Sequence, residues 1–397
     1  VARFLFVVPP LAGHINPTVA VGQHLNELGH DVAWVGYPRT TQPLLSSGAT
    51  LFELDDNVPD AMLAQLNEKS GKVRGLASVK FLWEDFLVPL ARHMRPGVAA
   101  AVKNFGAHVL VVDQQALAGA LVARQLGLRW ATSATTSAGI VENPVGPLVK
   151  VWDWVLSQMI TLETEVGIRA VPRQDLSPGL EPAPRLDLSP ELVLVFSSQK
   201  LLGDERVPDH FEFVGPSLTA RKSETPFPWN ALREGLRILV SLGTVSGGRD
   251  VRFYQTVKTA FAEMPLQVVL VGPPELIGAV PANFIVKEFV PQLELLEHVD
   301  AVVCHGGHNT VCEALARGLP LVVTPIRDDQ PVVANQVVAS GAGLRLSFGR
   351  LQPDQLREAV FEVLNNDQYR TAAIEVKKSF DEAGGAKRAA ELLVRLL

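Results

Sequence analysis

Residues 302–325 read VVCHGGHNTVCEALARGLPLVVTP, and this stretch decides the fold class. Val302, Val303 and Cys304 form a short apolar run that ends on His305. Gly306 and Gly307 follow, residues that let a chain turn and bring its backbone close to a ligand. A helical pattern then starts near Asn309 or Thr310, and a second apolar run occupies 319–323. The order is strand, glycine turn, helix, strand. Uninterrupted apolar runs of this length read as strands buried on both faces, as in parallel sheets.

The same pattern recurs outward from this stretch. Apolar runs lie at 31–37, 108–114, 191–197 and 266–272, with helical patterns between many of them. RFLFVVPPLAGHINP opens the chain and RILVSLGTVSGGRD opens the second half, each an apolar run entering a glycine-containing loop. After the first, Asn16 reads as a helix cap, Pro17 as the first helical residue and Gly29 as the stop. Strands alternating with helices predict an α/β fold of two Rossmann-like domains facing across a cleft. The polar, proline-rich segment 216–235 is the expected linker, between an N-terminal domain at 1–215 and a C-terminal domain at 236–378. A C-terminal helix is expected over 379–397. Residues 141–190 hold a predicted helix with Trp152 and Trp154, followed by a proline-rich loop.

The bulk numbers fit this picture. A chain of 397 residues exceeds the size at which single cores stop growing, so more than one domain is expected. The net charge of −6 gives no bulk drive toward nucleic acid or anionic lipid. The two cysteines, Cys304 and Cys312, are too few for a disulfide framework, and their spacing matches no usual zinc pattern. They read as small buried residues. The first apolar run, Phe4 to Pro10, is too short for a signal-peptide core, and no run is long enough to span a bilayer. The expected setting is cytoplasmic.

Ligands of open parallel sheets bind beyond the carboxyl ends of the strands, so the loops there are where chemistry is sought. His305, Asn309 and Thr310 stand at a helix N-terminus, whose exposed N–H groups and positive dipole end suit an anion. Thr310-x-x-Glu313 also reads as a capping box, which would explain those two residues without any ligand. His14, in the loop after the first strand, is placed to act as a general base, with Asp113 after another strand able to orient it. Asp329 and Gln330 end a further strand and suit sugar hydroxyls. No G-x-G-x-x-G and no G-x-x-x-x-G-K-[ST] is present, which counts against a nicotinamide enzyme and a P-loop NTPase. No Asp-x-Asp is present either, so a diphosphate would be met by donors and helix dipoles instead of a carboxylate-held metal.

Taken together, the block from Phe289 to Gln330, the GHINP opening and the SLGT segment resemble the GT-B nucleotide-sugar glycosyltransferases. The likeness is greatest to bacterial members that decorate antibiotics and other hydrophobic natural products. It spans most of the chain and is weakest at 50–100 and 140–235. It implies an inverting transfer of a sugar from a UDP- or dTDP-sugar to a hydroxyl of a hydrophobic aglycone. His14 would be the base and Asp113 its partner. Phe289 stands where plant members usually carry a Trp stacked on the nucleotide base, and Val290 would bond that base through its backbone. Gln292 and Glu313 would meet the base edge and ribose. Thr244, His305, Gly307, Asn309 and Thr310 would hold the diphosphate, and His308, Asp329 and Gln330 the sugar. His308 replaces another plant Trp, so sugar identity does not carry over.

Phe81, Trp83, Phe86 and Trp152 are candidates for an apolar acceptor wall, a role that competes with plain core packing. No cofactor and no metal are expected, the nucleotide sugar being a co-substrate. The expected partners are that donor and a hydrophobic small-molecule acceptor, without nucleic acid or membrane, in a monomer or homodimer. A sugar-nucleotide epimerase and a non-catalytic partner protein are the alternative functions.

Overall fold

The computed structural model describes residues 1–56, 76–140, 149–168, 185–218, 225–243 and 251–397. It divides into two compact units. The first comprises Val1–Phe196, Glu205–Thr219 and Ala383–Leu397; the second comprises Ser197–Asp204 and Ala220–Glu382.

Strands of the first unit are β1 (Arg3–Val7), β2 (Asp31–Gly36), β3 (Thr50–Glu53), β4 (Val109–Asp113), β5 (Arg129–Ala134), β6 (Val193–Val195) and β7 (Phe211–Phe213). They form one sheet in the order 3-2-1-4-5-6-7, every pair parallel. Side chains of β1 and β4 feed two apolar clusters, Leu5 and Val7 on one face, Phe4 and Phe6 on the other. A strand that must bury both faces is apolar without alternation, which is why these runs are visible in the sequence.

The second unit repeats the plan with β8 (Arg237–Ser241), β9 (Gln267–Val271), β10 (Phe284–Lys287), β11 (Ala301–Cys304), β12 (Leu321–Val323) and β13 (Gly343–Arg345). Their order is 10-9-8-11-12-13, again all parallel. In each sheet the strand order reverses beside the first strand, between β1 and β4 and between β8 and β11. Loops leaving a parallel sheet on either side of such a reversal diverge and open a crevice.

The first helix differs from its sequence reading. It spans Ala12–Glu27, with Leu11 and not Asn16 as its cap, and Pro17 lies inside it. The N–H groups of His14 and Ile15 donate to the Leu11 carbonyl at 2.9 and 3.1 Å. Proline keeps a helical φ, but as the sixth helical residue Pro17 forfeits one intrahelical bond. His14 therefore belongs to the first helical turn, and the helix fixes its direction.

Gly384 (φ 87°) and Gly385 (φ 63°) end the helix Asp367–Ala383 and admit the helix Gly385–Val394. The Gly385 N–H donates to the Val214 carbonyl. Ala386, Ala389, Ala390, Leu392 and Leu393 then join Ile15, Val19 and Leu25 in one core of the first unit. Among the described residues no helix is long and apolar enough to cross a membrane.

Candidate functional site

Both sheets carry a histidine at their reversal. In the first unit, the helix that follows β1 aims His14 at Asp113, the last residue of β4. His14 Nδ1 lies 2.9 Å from Asp113 Oδ1 and 3.0 Å from Oδ2. The Asp113 side chain has no exposure, while His14 keeps 17%. A buried carboxylate needs donors, and Asp113 has them: the Gln115 N–H donates to Oδ1 at 2.8 Å and the Thr135 hydroxyl to Oδ2 at 3.2 Å. With Nδ1–H directed at the carboxylate, the neutral ring carries its lone pair on Nε2.

Thr135 escaped the sequence reading. Its Oγ1 stands 2.8 Å from His14 Nδ1, just past the end of β5. The sequence offers there only the hydroxyl-rich run TSATTS, which overlaps the end of β5 and singles out none of its members.

In the second unit, His305 follows β11 and is 7% exposed. Its surroundings are unlike those of His14. Nδ1 is buried and has no hydrogen-bond partner. A methyl group on Gly243 would lie 2.6 Å from Cε1 of this ring, and one on Gly307 would lie 2.5 Å from Nε2. Two glycines thus bracket the imidazole, and Gly243 has a positive φ of 69° that other residues rarely adopt. Burial pushes the His305 pKa down to about 4, and the Arg327 guanidinium adds to the effect, opposed by the Ser241 backbone. The ring is neutral at pH 7. Arg327, its side chain 8% exposed, was not singled out in the sequence, where it reads as one charge in a loop of charges.

The helix after this histidine begins at His308, with Gly307 as its cap and no side-chain cap. Thr310 is therefore the third helical residue, and the capping-box reading fails. Glu313 is engaged from elsewhere: Gln292 Nε2 donates to its Oε2 at 2.5 Å. The structure thus joins two residues the sequence assigned to one subsite. Phe289 is 57% exposed, whereas Val290 packs partly against the core of this unit. His308 is buried, with Nε2 3.4 Å from Cys312 Sγ.

Asp329 caps the helix Gln330–Ala339 without a side-chain bond to it. Gln330 Oε1 accepts the N–H groups of Ile326 and Arg327, at 2.9 and 3.1 Å, so this side chain shapes the loop that presents Asp329. Asp328 in that loop holds a positive φ of 54°. Thr244 lies outside the described residues.

The aromatic candidates are all interior. Phe81, Trp83, Phe86 and Trp152 are each less than a tenth exposed. Trp83, Phe86 and Trp152 belong to the main apolar cluster of the first unit. Arg185 lies over the Trp152 ring at 4.9 Å. Among the described residues no group of three or more His, Cys, Asp or Glu could hold a metal ion.

Comparison with known proteins gives this geometry its setting. Residues 259–392 match the family of erythromycin biosynthesis protein CIII-like C-terminal domains. The chain is 29% identical to NDP-glycosyltransferase YjiC of Bacillus subtilis, over 96% of this chain and 94% of that protein. It is 28% identical to 4'-demethylrebeccamycin synthase of Lentzea aerocolonigenes, over the whole of both chains. The crystal structure of the glycotransferase of kitacinnamycin superposes with a TM-score of 0.81 at 25% identity, covering 100% of this chain and 99% of that one.

Proposed function

We propose that the chain, which matches EryCIII-like C-terminal domains over residues 259–392 and has the fold of the kitacinnamycin glycotransferase, is a glycosyltransferase that moves a sugar, with inversion, from a UDP- or dTDP-sugar to a hydroxyl of a hydrophobic natural-product aglycone. The observation that carries the proposal is the contact between His14 Nδ1 and the buried Asp113 carboxylate. A histidine so tied has a defined tautomer and a stabilised protonated form, the two properties required of a general base.

His14 Nε2 accepts the proton of the acceptor hydroxyl. The acceptor oxygen attacks the anomeric carbon as the bond to the diphosphate breaks on the opposite face. One displacement inverts the configuration, so an α-linked donor yields a β-glycoside. Negative charge accumulates on the departing diphosphate. In the second unit, N–H groups at the start of the His308–Leu315 helix, neutral His305 and the Arg327 charge answer it. Thr244, Asn309 and Thr310 complete the diphosphate set. Exposed Phe289 stacks on the base, while the Gln292–Glu313 pair and the Val290 backbone recognise its edge and the ribose. Asp329 holds the sugar. These groups make the transfer metal-independent.

The test is a transfer assay with UDP-glucose or dTDP-glucose against flavonoid, macrolide and polyketide aglycones, with and without EDTA. Glycoside detected by mass spectrometry, and persisting in EDTA, is the expected result and selects the nucleotide. Product that disappears with EDTA overturns the metal-independent mechanism. Nucleotide binding without transfer to any of these aglycones overturns the acceptor class. Absence of nucleotide binding in calorimetry overturns the reading of the His305–Glu313 region.

A further inference from the structure

Beside the dyad of the first unit stands a polar side chain that the transfer mechanism does not use. Gln114 follows Asp113 at the carboxyl end of β4. Its N–H donates to the Ser133 carbonyl at 3.2 Å, so the ladder with β5 still sets its direction. Leu110 and Val112 feed one apolar cluster and Val111 the other. By the same alternation Asp113 turns toward His14 and Gln114 toward the opposite face, whose cluster also holds Trp83, Phe86 and Trp152. Gln114 is 8% exposed, and its Oε1 is buried with no hydrogen-bond partner. Turning the amide over would put an N–H group at that position and leave it equally unpaired. A buried polar atom without a partner costs free energy that apolar packing does not return.

The surroundings hold this amide in place. It rests against the turn Ser137–Gly139. A methyl group on Gly139 would lie 3.0 Å from Nε2 and 3.2 Å from Oε1, so the glycine leaves the amide its room. The turn is fixed at both ends. Thr136 Oγ1 accepts the Ala138 N–H at 3.3 Å, and Arg185 Nη2 donates to the Gly139 carbonyl at 2.7 Å. Arg185 is itself braced by Asp187, 3.0 Å from its Nε. All of these residues belong to the first unit. A side chain supported in this way is oriented before a ligand arrives.

We propose that Gln114 determines acceptor specificity, its amide pairing with a second hydroxyl of the aglycone, one that is not glycosylated. An amide oxygen needs a donor and the adjoining NH2 group needs an acceptor; a hydroxyl supplies both. A hydrogen or a methyl ether in its place leaves Oε1 unpaired, and a site built to bond a hydroxyl rejects such an analogue. The acceptor class is therefore a polyhydroxylated aglycone. The proposal rests on the glycosyltransferase reading for the fate of the first hydroxyl, whereas recognition of the second does not.

The probes are a trihydroxyflavone with the dihydroxyflavones that each lack one of its hydroxyls, and a hydroxylated macrolide aglycone with its deoxy analogues. Calorimetry measures their binding to the full-length protein, and mass spectrometry the transfer from UDP-glucose or dTDP-glucose. In the wild type, loss of one non-reacting hydroxyl is expected to weaken binding and kcat/KM about ten- to hundredfold. Gln114→Met keeps an unbranched side chain and drops the amide. It is expected to bind the parent aglycone as weakly as the wild type binds the analogue, and to distinguish the two by less than about threefold. Gly139→Ala, which presses a methyl group on the amide, is expected to fall between. Nucleotide affinity should not change in either variant. The melting temperature of Gln114→Met should not fall, because an unpaired buried amide has been removed.

A Gln114→Met protein that discriminates as the wild type does overturns the proposal. So does a wild type indifferent to every hydroxyl, or one that binds no member of either series. A lower melting temperature with equal losses on parent and analogue shows a structural role instead. Gln114-dependent discrimination in a protein that binds neither UDP nor dTDP sinks the transferase reading alone. Nucleotide binding and transfer without any part for Gln114 sinks this proposal alone.

Discussion

His14 stands in the helical turn after β1, and His305 stands just past β11, each at the reversal of a parallel sheet. One is bound to a carboxylate and a threonine hydroxyl; the other has no partner at Nδ1, is bracketed by glycines and is held neutral. The contrast shows how little residue type and topology say about chemistry by themselves. A negative neighbour prepares an imidazole to take up a proton. Burial beside an arginine prevents that and leaves a ring that can face a diphosphate without trading protons with it.

The sharpest way to break the contrast is to remove the paired member. His14→Ala should lower kcat by roughly 10²–10⁴-fold while nucleotide binding in calorimetry stays within about twofold. Loss of both together would mean that His14 serves binding, the role proposed for His305.

The neutral member is tested by acid. His305 titrates at 6.5 unperturbed and at about 4 in the folded chain. Between those values the unfolded chain binds more protons, so stability rises with pH. The contribution is complete above 6.5 and is lost as pH falls toward 4, by ~2–3 kcal/mol. Urea unfolding at pH 7 and 4.5 should show this loss in the wild type and a correspondingly smaller one in His305→Asn. Equal losses would show that His305 is not held neutral.

A subtler probe changes only the bracket. Gly307 has a φ of −60°, which alanine adopts freely, so Gly307→Ala acts through its methyl group against the His305 ring. Nucleotide affinity should fall by about tenfold, with His14-dependent chemistry on bound donor intact in single turnover. The smallest effect belongs to Thr135→Val. Losing the hydroxyl that bonds the dyad should reduce kcat about three- to tenfold, and Thr135→Ser should recover most of it.

The central strands were legible because burial on both faces writes an apolar run. β5 was not: RWATSA holds Thr132 and Ser133 in the interior, and its environment, not its composition, makes it a strand. Thr132 shows how, since its Oγ1 accepts the Ser189 N–H. Edge strands β3 and β13 are short and half-exposed, which weakens their signal. In the site, His14, Asp113 and His305 could be picked out because each ends or follows a strand. Thr135 and Arg327 could not, since their importance lies in neighbours distant in sequence. The Thr310–Glu313 spacing misled for the same reason: Gln292, 21 residues before Glu313, takes the carboxylate.

Ala386, Ala389, Ala390, Leu392 and Leu393 lie in the same apolar cluster as Ile15 and Leu25. During synthesis the ribosome delivers these two parts of one core far apart in time, with the second unit between them. The strands of the first sheet emerge early, but the Ala12–Glu27 helix stays partly bare until the Gly385–Val394 helix has been made. The second unit, between them, has all its strands before that helix. The unit begun first should therefore be completed last, and chaperone demand should concentrate on the bare face of its first helix.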